Sequence, residues 1–226
     1  MHDIGASLER VRERIARAAE HAGRRAGDVL LIGVSKTVEV ERIQQAVAAG
    51  VPAIGENRVQ EAKEKVAALG RPVPWHLIGH LQTNKVRDAL DLFDLVHSLD
   101  RLDLAHELDK RARQRGRPIA ALVQVNVGDE ANKGGFEVDA VPAALDAIAK
   151  LDHINVRGLM TIPPIAERAE DARGWFRALA QLGKHAGLAE LSMGMSADFE
   201  VAIEEGATMV RVGTAIFGPR SGQAAP

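Results

Sequence analysis

The stretch VLLIGVSKTVEVERIQQAVAAG, residues 29–50, decides the fold. Its first part is an apolar run that ends at Lys36, and its second part has Val40, Ile43 and Val47 at helical spacing before a final glycine. A continuous aliphatic run is typical of a strand covered on both faces, as in a parallel sheet between helices. Glycine commonly ends a helix. The stretch therefore predicts a buried strand that leads directly into a helix, with Lys36 in the turn between them.

The same alternation continues along the chain. Eight apolar segments predict strands, at residues 29–35, 51–55, 75–79, 95–98, 119–127, 155–162, 190–194 and 208–217. Helical patterns follow most of them, and an amphipathic helix over about residues 4–22 precedes the first strand. Strict alternation indicates a parallel α/β sheet, and eight strands at this spacing predict a (β/α)8 TIM barrel. We expect the first helix to cover the gap where an eighth outer helix would lie.

An open, doubly wound sheet is the alternative architecture. Such a sheet more often has a glycine-rich phosphate turn after its first strand. Neither GxGxxG nor GxxxxGK followed by Ser or Thr occurs in the sequence, so the barrel is favoured. We expect one barrel domain over residues 1–226, with the N-terminal helix within residues 1–22 and a frayed tail over residues 219–226.

Composition and charge exclude several classes of protein. The 226 residues include no cysteine, which rules out disulfides, thiolate metal sites and cysteine nucleophiles. The net charge of −2 offers no general attraction to nucleic acid or to an anionic membrane. The N-terminus lacks the apolar core of a signal peptide, and no apolar run approaches the ~20 residues of a membrane span. We therefore expect a cytoplasmic protein without a nucleic-acid or membrane partner.

In a barrel, chemistry collects at the carboxyl ends of the strands. The polar and turn residues predicted there are Lys36, Glu56, Asn57, His76, His80, Ser98, Asn126, Ser196, Arg211, Gly213 and Thr214. Lys36 is the most informative of them, because a lysine on a rigid strand beside apolar walls is partly desolvated. Desolvation favours the neutral amine, which can attack a carbonyl group and form a Schiff base. The alternative is a lysine that leaves the sheet for solvent.

Two further strand ends indicate an anion site. Ser196 opens the segment SADFEVAIEEG, where it is either a plain helix N-cap or, together with free helix N–H groups, part of a phosphate site. Gly213 and Thr214 add a small-residue turn and a hydroxyl at the next strand end. Phosphate sites in barrels often follow strands seven and eight. Arg211 lies in the last strand, where a lone charge is costly unless it is paired, so an ion pair at the barrel rim is one interpretation.

Three other residues of chemical interest have simpler interpretations. His76 and His80 are four residues apart, but they lie in a strand and a loop without the helix and glutamate of HExxH, so no metal site is expected. His76 fits a hydrogen-bonded core histidine. Lys133 fits a solvated loop lysine better than a reactive one.

Five segments together resemble one family. They are GVSKT (33–37), AIGENRVQE (53–61), WHLIGHLQTNK (75–85), GLMTIPP (158–164) and LSMGMSADFEVAIEEGATMVRVGTAIFG (191–218). This combination is similar to the pyridoxal 5′-phosphate (PLP) homeostasis protein family, also called the proline synthase co-transcribed homologues. Members of the family resemble the barrel domain of alanine racemase, a fold-type III PLP enzyme, without its second domain.

The resemblance implies a role in cofactor binding for each matching residue. Lys36, in VSKT, would hold PLP as a Schiff base. Ser196, in MGMS, would bind the phosphate together with Gly213 and Thr214 of RVGTAIFG. No residue is implied to be catalytic or to bind a metal.

The same resemblance places Arg211 against the pyridine nitrogen of PLP and Asn57 in the pocket near the lysine. A guanidinium group stays charged and cannot accept a proton. Arg211 would therefore leave the ring nitrogen unprotonated, which weakens the ring as an electron sink. Transamination and decarboxylation are then disfavoured. Racemisation needs less of the sink but requires a base on each face of the substrate carbon.

Two functions remain open from the sequence. The first is a non-catalytic, monomeric PLP carrier that takes part in intracellular PLP homeostasis and passes the cofactor to apo PLP-dependent enzymes. The second is an enzyme, either a minor amino-acid racemase or a Schiff-base aldolase with Lys36 as nucleophile. The sequence has no tyrosine to serve as the opposite-face base, and we expect no second domain to supply one. The carrier is therefore favoured, although His76 or His80 is available in principle as a base.

Overall fold

A closed barrel of eight parallel strands forms the centre of the molecule. The computed structural model describes residues 2–130 and 133–219. The strands are β1 (Leu30–Val34), β2 (Ala53–Glu56), β3 (Trp75–Leu77), β4 (Leu95–Leu99), β5 (Ile119–Asn126), β6 (Phe136–Glu137), β7 (Ile154–Met160), β8 (Glu190–Met195) and β9 (Met209–Val212). The ring runs β1-β2-β3-β4-β5-β7-β8-β9, and β9 pairs with β1 to close it. The short β6 lies outside the ring, beside the carboxyl end of β5. The predicted (β/α)8 barrel is confirmed.

Helices surround the barrel. They are α1 (Ile4–His21), α2 (Val40–Ala48), α3 (Val59–Leu69), α4 (Val86–Leu92), α5 (Leu102–Arg115), α6 (Val141–Ile148), α7 (Arg173–His185), α8 (Phe199–Glu204) and α9 (Thr214–Phe217). The buried face of α1 packs against α2, α8 and α9, so this helix covers the gap after the last strand, as predicted. Within residues 2–130 and 133–219, no helix combines the length and the apolar character that crossing a membrane requires.

The structure differs from the sequence predictions in a few elements. The strand predicted over residues 208–217 ends at Val212, and Thr214–Phe217 forms a helix instead. A short apolar run fits a strand and a buried helix equally well, so its pattern could not separate the two. The seven-residue α4 and the two-residue β6 are not among the predicted elements. Most of the tail predicted to be frayed, residues 220–226, lies outside the described residues.

Apolar side chains fill two regions, one between barrel and helices and one inside the barrel. The outer region contains the largest fully buried side chains, which include Trp75, Phe93, Phe176 and Phe199. The inner region consists of Ile32, Ala53, Leu95, Leu122, Met160 and Met209. Side chains two residues apart on a strand face the same side. His97 and Arg211, each two residues beyond a member of the inner set, therefore also face the interior, and both are buried. The interior is thus apolar at one level and polar at the next level toward the carboxyl ends.

Candidate functional site

Lys36 lies at the carboxyl end of the barrel, in the turn between β1 and α2. Its side chain is half-buried. β1 pairs with β2 on one side and β9 on the other, so Lys36 follows a strand whose two neighbours lead to Asn57 and to Gly213. A narrow cleft at this point is lined by Val34, Lys36, Val38, Gly213, Thr214, Phe217 and Gly218. The structure therefore brings the predicted lysine together with the predicted glycine–threonine turn.

Ser196 joins the same corner of the barrel. Its Oγ accepts hydrogen bonds from the backbone N–H groups of Gly213, at 3.2 Å, and Ala215, at 3.4 Å. Gly213 packs on β1, where a Cβ atom added to it would lie 3.4 Å from Val34, so this turn contacts the strand that leads to Lys36. The hydroxyl-bearing Thr214 is exposed. Three of the residues predicted to bind phosphate therefore meet at the ends of β8 and β9.

The structure corrects one interpretation of Ser196. The helix that follows it, α8, begins at Phe199, and its N-cap residue is Asp198. Asp198 turns back to accept a hydrogen bond from the Met195 N–H at 2.6 Å. Ser196 is therefore not a helix N-cap. It belongs to the turn before α8, and its hydroxyl faces β9.

Arg211 is held inside the barrel by neutral partners. Its side chain donates from Nη1 to Ser192 Oγ, at 2.6 Å, and from Nη2 to the carbonyl oxygen of Thr161, at 2.8 Å. Among the described residues no carboxylate pairs with it, so the ion pair considered from the sequence is wrong. Burial lowers the pKa of Arg211 to about 10, against the opposing negative charge of Asp198. The guanidinium therefore still carries its charge at neutral pH, although only 3% of the residue is exposed.

Two histidines extend the polar contacts of Arg211 across the barrel interior. His97 Nδ1 lies 2.9 Å from Ser192 Oγ, and His97 Nε2 lies 3.0 Å from His76 Nδ1. The Ser192 hydroxyl accepts from Arg211 and still has a hydrogen and a second lone pair, so it can bond to His97 Nδ1 in either tautomer of the ring. A continuous set of hydrogen bonds therefore links Arg211, Ser192, His97 and His76.

Burial keeps both histidines neutral. Desolvation lowers the pKa of His76 to about 4 and that of His97 well below its ordinary value, and the nearby charge of Arg211 lowers the latter further. His76 is thus the hydrogen-bonded core histidine expected from the sequence. Sequence reasoning missed Ser192 and His97 as partners of Arg211. The available signal was the presence of polar residues within two largely apolar strands, His97 in LVHSL and Ser192 in ELSMGM.

Other predicted residues lie around the mouth of the barrel with partners of their own. Asn57 is half-buried and lines a second depression with Gly79 and His80. His80 Nδ1 lies 2.9 Å from Asp100 Oδ2, so the structure does not bring His76 and His80 to a common site. Ser98 donates to the Gly79 carbonyl oxygen at 2.7 Å.

Two predicted mouth residues have other roles, and one loop residue is corrected. Glu56 is fully buried and contacts Lys65 of α3, so it faces the helix layer and not the mouth. Asn126 exchanges hydrogen bonds with the backbone of Glu130 and shapes the loop after β5. Lys133 is not a solvated loop lysine. It is half-buried, pairs with Glu130 and donates to the Pro163 carbonyl oxygen at 3.0 Å.

Comparison with known proteins identifies the class. The sequence profile of the alanine racemase N-terminal domain family matches residues 6–221. The closed barrel, with its lysine at the end of the first strand, is thus that of the alanine racemase N-terminal domain.

More similar relatives define the family within this class. A pyridoxal phosphate homeostasis protein of Aquifex aeolicus is 47% identical over 220 residues, which cover 94% of this chain and 96% of the relative. The protein of the same name from Pseudomonas aeruginosa is 44% identical and aligned over 97% of each chain. The chain belongs to the pyridoxal phosphate homeostasis protein family. Among solved structures, PipY of Synechococcus elongatus with PLP bound is 39% identical, with a TM-score of 0.78 over 90% of this chain and 100% of PipY.

Proposed function

We propose that this chain binds PLP through a covalent linkage to Lys36 and serves as a PLP carrier in cofactor homeostasis. One observation carries the proposal. Lys36 shares a cleft with Gly213 and Thr214. Ser196 bonds to the same turn, and the charged Arg211 lies two residues before Gly213. The PLP bound to PipY supports binding of this cofactor, and the pyridoxal phosphate homeostasis proteins among the relatives support a role in homeostasis.

The residues present fit the parts of PLP. At this turn the Ser196 oxygen accepts from the Gly213 and Ala215 N–H groups, so its hydroxyl hydrogen and the exposed Thr214 hydroxyl can donate to a phosphate, with no side chain in the way at Gly213. Lys36 supplies the amine. Arg211 supplies a fixed positive charge from the interior. PLP, when bound, supplies a reactive aldehyde and an electron sink. Asn57, from the neighbouring strand end, would line the pocket near the lysine.

The surroundings of Arg211 favour a PLP carrier over a PLP-dependent enzyme. Its charge would keep the facing ring nitrogen unprotonated, which weakens the electron sink that most PLP reactions use. His76 is an unsuitable base, because a pKa of about 4 makes its ring weakly basic and its Nδ1 is occupied by the bond to His97. His80 is oriented by Asp100. A racemase-like enzyme is the alternative function, and the experiment below separates the two.

The remaining features of the proposal concern organisation and partners. We propose a monomeric, single-domain cytoplasmic protein that hands PLP to apo PLP-dependent enzymes. A carrier needs an accessible linkage, and the half-buried Lys36 at the barrel mouth meets that need.

The test is the visible spectrum of purified protein with PLP, before and after borohydride reduction, for the wild type and for Lys36→Ala. The exposed Lys85→Ala is the matched control. We expect an absorbance band in the wild type and in Lys85→Ala, none in Lys36→Ala, and a pyridoxyl label on Lys36 after reduction. A label on Lys85 or Lys133 with Lys36 unmodified would contradict the assignment.

The same samples decide between carrier and enzyme. We expect no substantial racemisation or transamination of alanine or serine by the PLP-loaded protein. Turnover that depends on Lys36 at an ordinary enzyme rate of about 1 s⁻¹ or more would establish the enzyme instead.

A further inference from the structure

We infer that a buried cluster formed by Glu56, Glu61 and Lys65 is a positioning device for Lys36. The cluster lies behind the β1–α2 turn, between the barrel and α3, and it holds the residues on both sides of Lys36. The inference rests on the proposed function, because it assigns these residues a role in placing Lys36 for its covalent linkage to PLP.

Lys65 is the centre of the cluster. Its Nζ donates to Glu56 Oε1, Glu61 Oε1 and the Ser35 carbonyl oxygen, each at 2.6 Å. An ammonium group has three donors, so all of them are used. Only 7% of the side chain is exposed. A buried charge with its full set of partners has a single well-defined arrangement.

The residue before Lys36 is fixed from one side of the cluster. Ser35 is fully buried, and its hydroxyl donates to Glu56 Oε1 at 2.6 Å. Its backbone N–H continues the barrel pairing to the Gly55 carbonyl oxygen at 3.0 Å. The backbone is therefore held at the N–H, the carbonyl group and the side chain of Ser35.

The residue after Lys36 is fixed from the other side. The backbone N–H of Thr37 donates to Glu61 Oε1 at 2.6 Å. Thr37 has a φ of 61°, a left-handed conformation that a β-branched residue rarely adopts. Such a conformation persists only where the surroundings impose it. Glu61 supplies that constraint, and Lys65 links it to the carboxylate that holds Ser35.

The consequence for Lys36 follows from this double restraint. With both neighbours fixed, the Cα–Cβ direction of Lys36 is fixed toward the cleft that it shares with Gly213 and Thr214. If the turn relaxed to an ordinary conformation at Thr37, the lysine would leave the sheet in a different direction. Glu61 is thus a positioning residue for the covalent linkage and has no part in binding the phosphate.

The experiment compares Glu61→Ala with the conservative Glu61→Gln. Glutamine keeps an oxygen that accepts from the Thr37 N–H, whereas alanine removes it. Glu61 is the outermost member of the cluster, so both variants keep the buried Glu56–Lys65 pair. Two probes are titrated, PLP and 4′-deoxypyridoxine 5′-phosphate, which has the same ring and phosphate but no aldehyde and so cannot bond to Lys36.

We expect Glu61→Ala to weaken PLP binding about tenfold or more and to reduce the absorbance band of the linkage. Its affinity for the deoxy analogue should stay within about twofold of wild type, and Glu61→Gln should recover most of the affinity for PLP. Unchanged PLP binding, an equal loss with both probes, or no recovery in Glu61→Gln would overturn the inference. Lys36→Ala isolates the proposed function. A wild type that binds both probes equally, with no change in Lys36→Ala, would overturn the proposed function itself.

Discussion

At the scale of single residues, Arg211 stands out as a buried charge that has no opposite charge as its direct partner within residues 2–130 and 133–219. Its partners are a serine hydroxyl and a backbone carbonyl group. A carboxylate in this place would neutralise the guanidinium and compete for its donors. Neutral acceptors hold the guanidinium group in place without cancelling its charge. That charge can therefore act on a ligand bound at the mouth of the barrel. The same residue type in the same strand would act differently with a carboxylate beside it, so the environment decides its role.

The phosphate corner is tested by Ser196→Ala and Thr214→Val. Each should weaken PLP binding by about 1–3 kcal/mol, because a hydrogen bond to a charged phosphate is lost. Binding of pyridoxal, which has no phosphate, should not change. The exposed Thr83→Val is the control for Thr214→Val. Titrations of both ligands give the affinities, and a double variant that binds PLP like the wild type would exclude this corner as the phosphate site.

At the scale of elements, the close approach of neighbouring strands sets which positions accept a side chain. Gly158 of β7 pairs with Glu190 of β8, and a Cβ atom built on it would lie 1.8 Å from the Glu190 carbonyl oxygen. No side chain fits there unless the two strands separate. The strand β8 leads to Ser196, so this pairing also helps to place the proposed phosphate corner.

Gly158→Ala should therefore reduce the free energy of unfolding by about 2–4 kcal/mol, as overpacking and lost strand pairing do elsewhere. Gly174→Ala is the matched control. Gly174 lies in α7 with nothing within 4 Å of an added Cβ, so the change should be neutral or stabilise by up to about 1 kcal/mol. Urea unfolding measures both variants. Equal stabilities would show that β7 and β8 are not packed as described.

The elements also show where sequence reasoning succeeds and where it stops. Aliphatic runs and helical spacing are local signals, and they predicted the eight barrel strands and the place of Lys36 at the end of the first. The contact between His97 and Ser192 joins residues 95 positions apart. A hydrogen bond across the barrel interior produces no periodic pattern in the sequence from which it could be predicted. The cluster around Lys65 could not be predicted from the sequence either, because a lysine on an amphipathic helix is ordinarily solvated. Burial of charged residues depends on tertiary packing, which the sequence pattern alone does not report.

At the scale of the whole molecule, the neutral histidines inside the barrel link stability to pH. His76 and His97 have folded-state pKa values below the ordinary value of about 6.5. The unfolded chain therefore binds more protons than the folded protein once the pH falls below that value. Stability is lost as the pH drops from about 6.5 toward about 4, where His76 is half protonated in the folded state. The charges that act on the pair are Asp94, Arg157 and Arg211.

In this range each histidine makes the free energy of unfolding change by at most about 1.4 kcal/mol per pH unit. His76→Asn removes one titrating group and keeps a side chain that can accept or donate a hydrogen bond, so the unfolding free energy of this variant should depend less steeply on pH. The raised pKa values of Glu56 and Asp198, both caused by burial, oppose the trend at the acidic end. Urea unfolding at pH 7, 6 and 5 is the measurement. Parallel curves for the wild type and His76→Asn would contradict the assignment.

The closure of the barrel by β1 and β9 has a consequence for biosynthesis. Within the ring, the strand that leads to Lys36 leaves the ribosome first, and its pairing partner β9, with Arg211 and the turn at Gly213, leaves last. Until β9 has emerged, the nascent sheet has two open edges and the lysine has no turn beside it. Contacts between such distant parts of a chain form late and slowly during folding. A nascent chain with an exposed Lys36 therefore lacks half of the binding pocket, so the site becomes competent to capture a ligand only when synthesis of the barrel is complete.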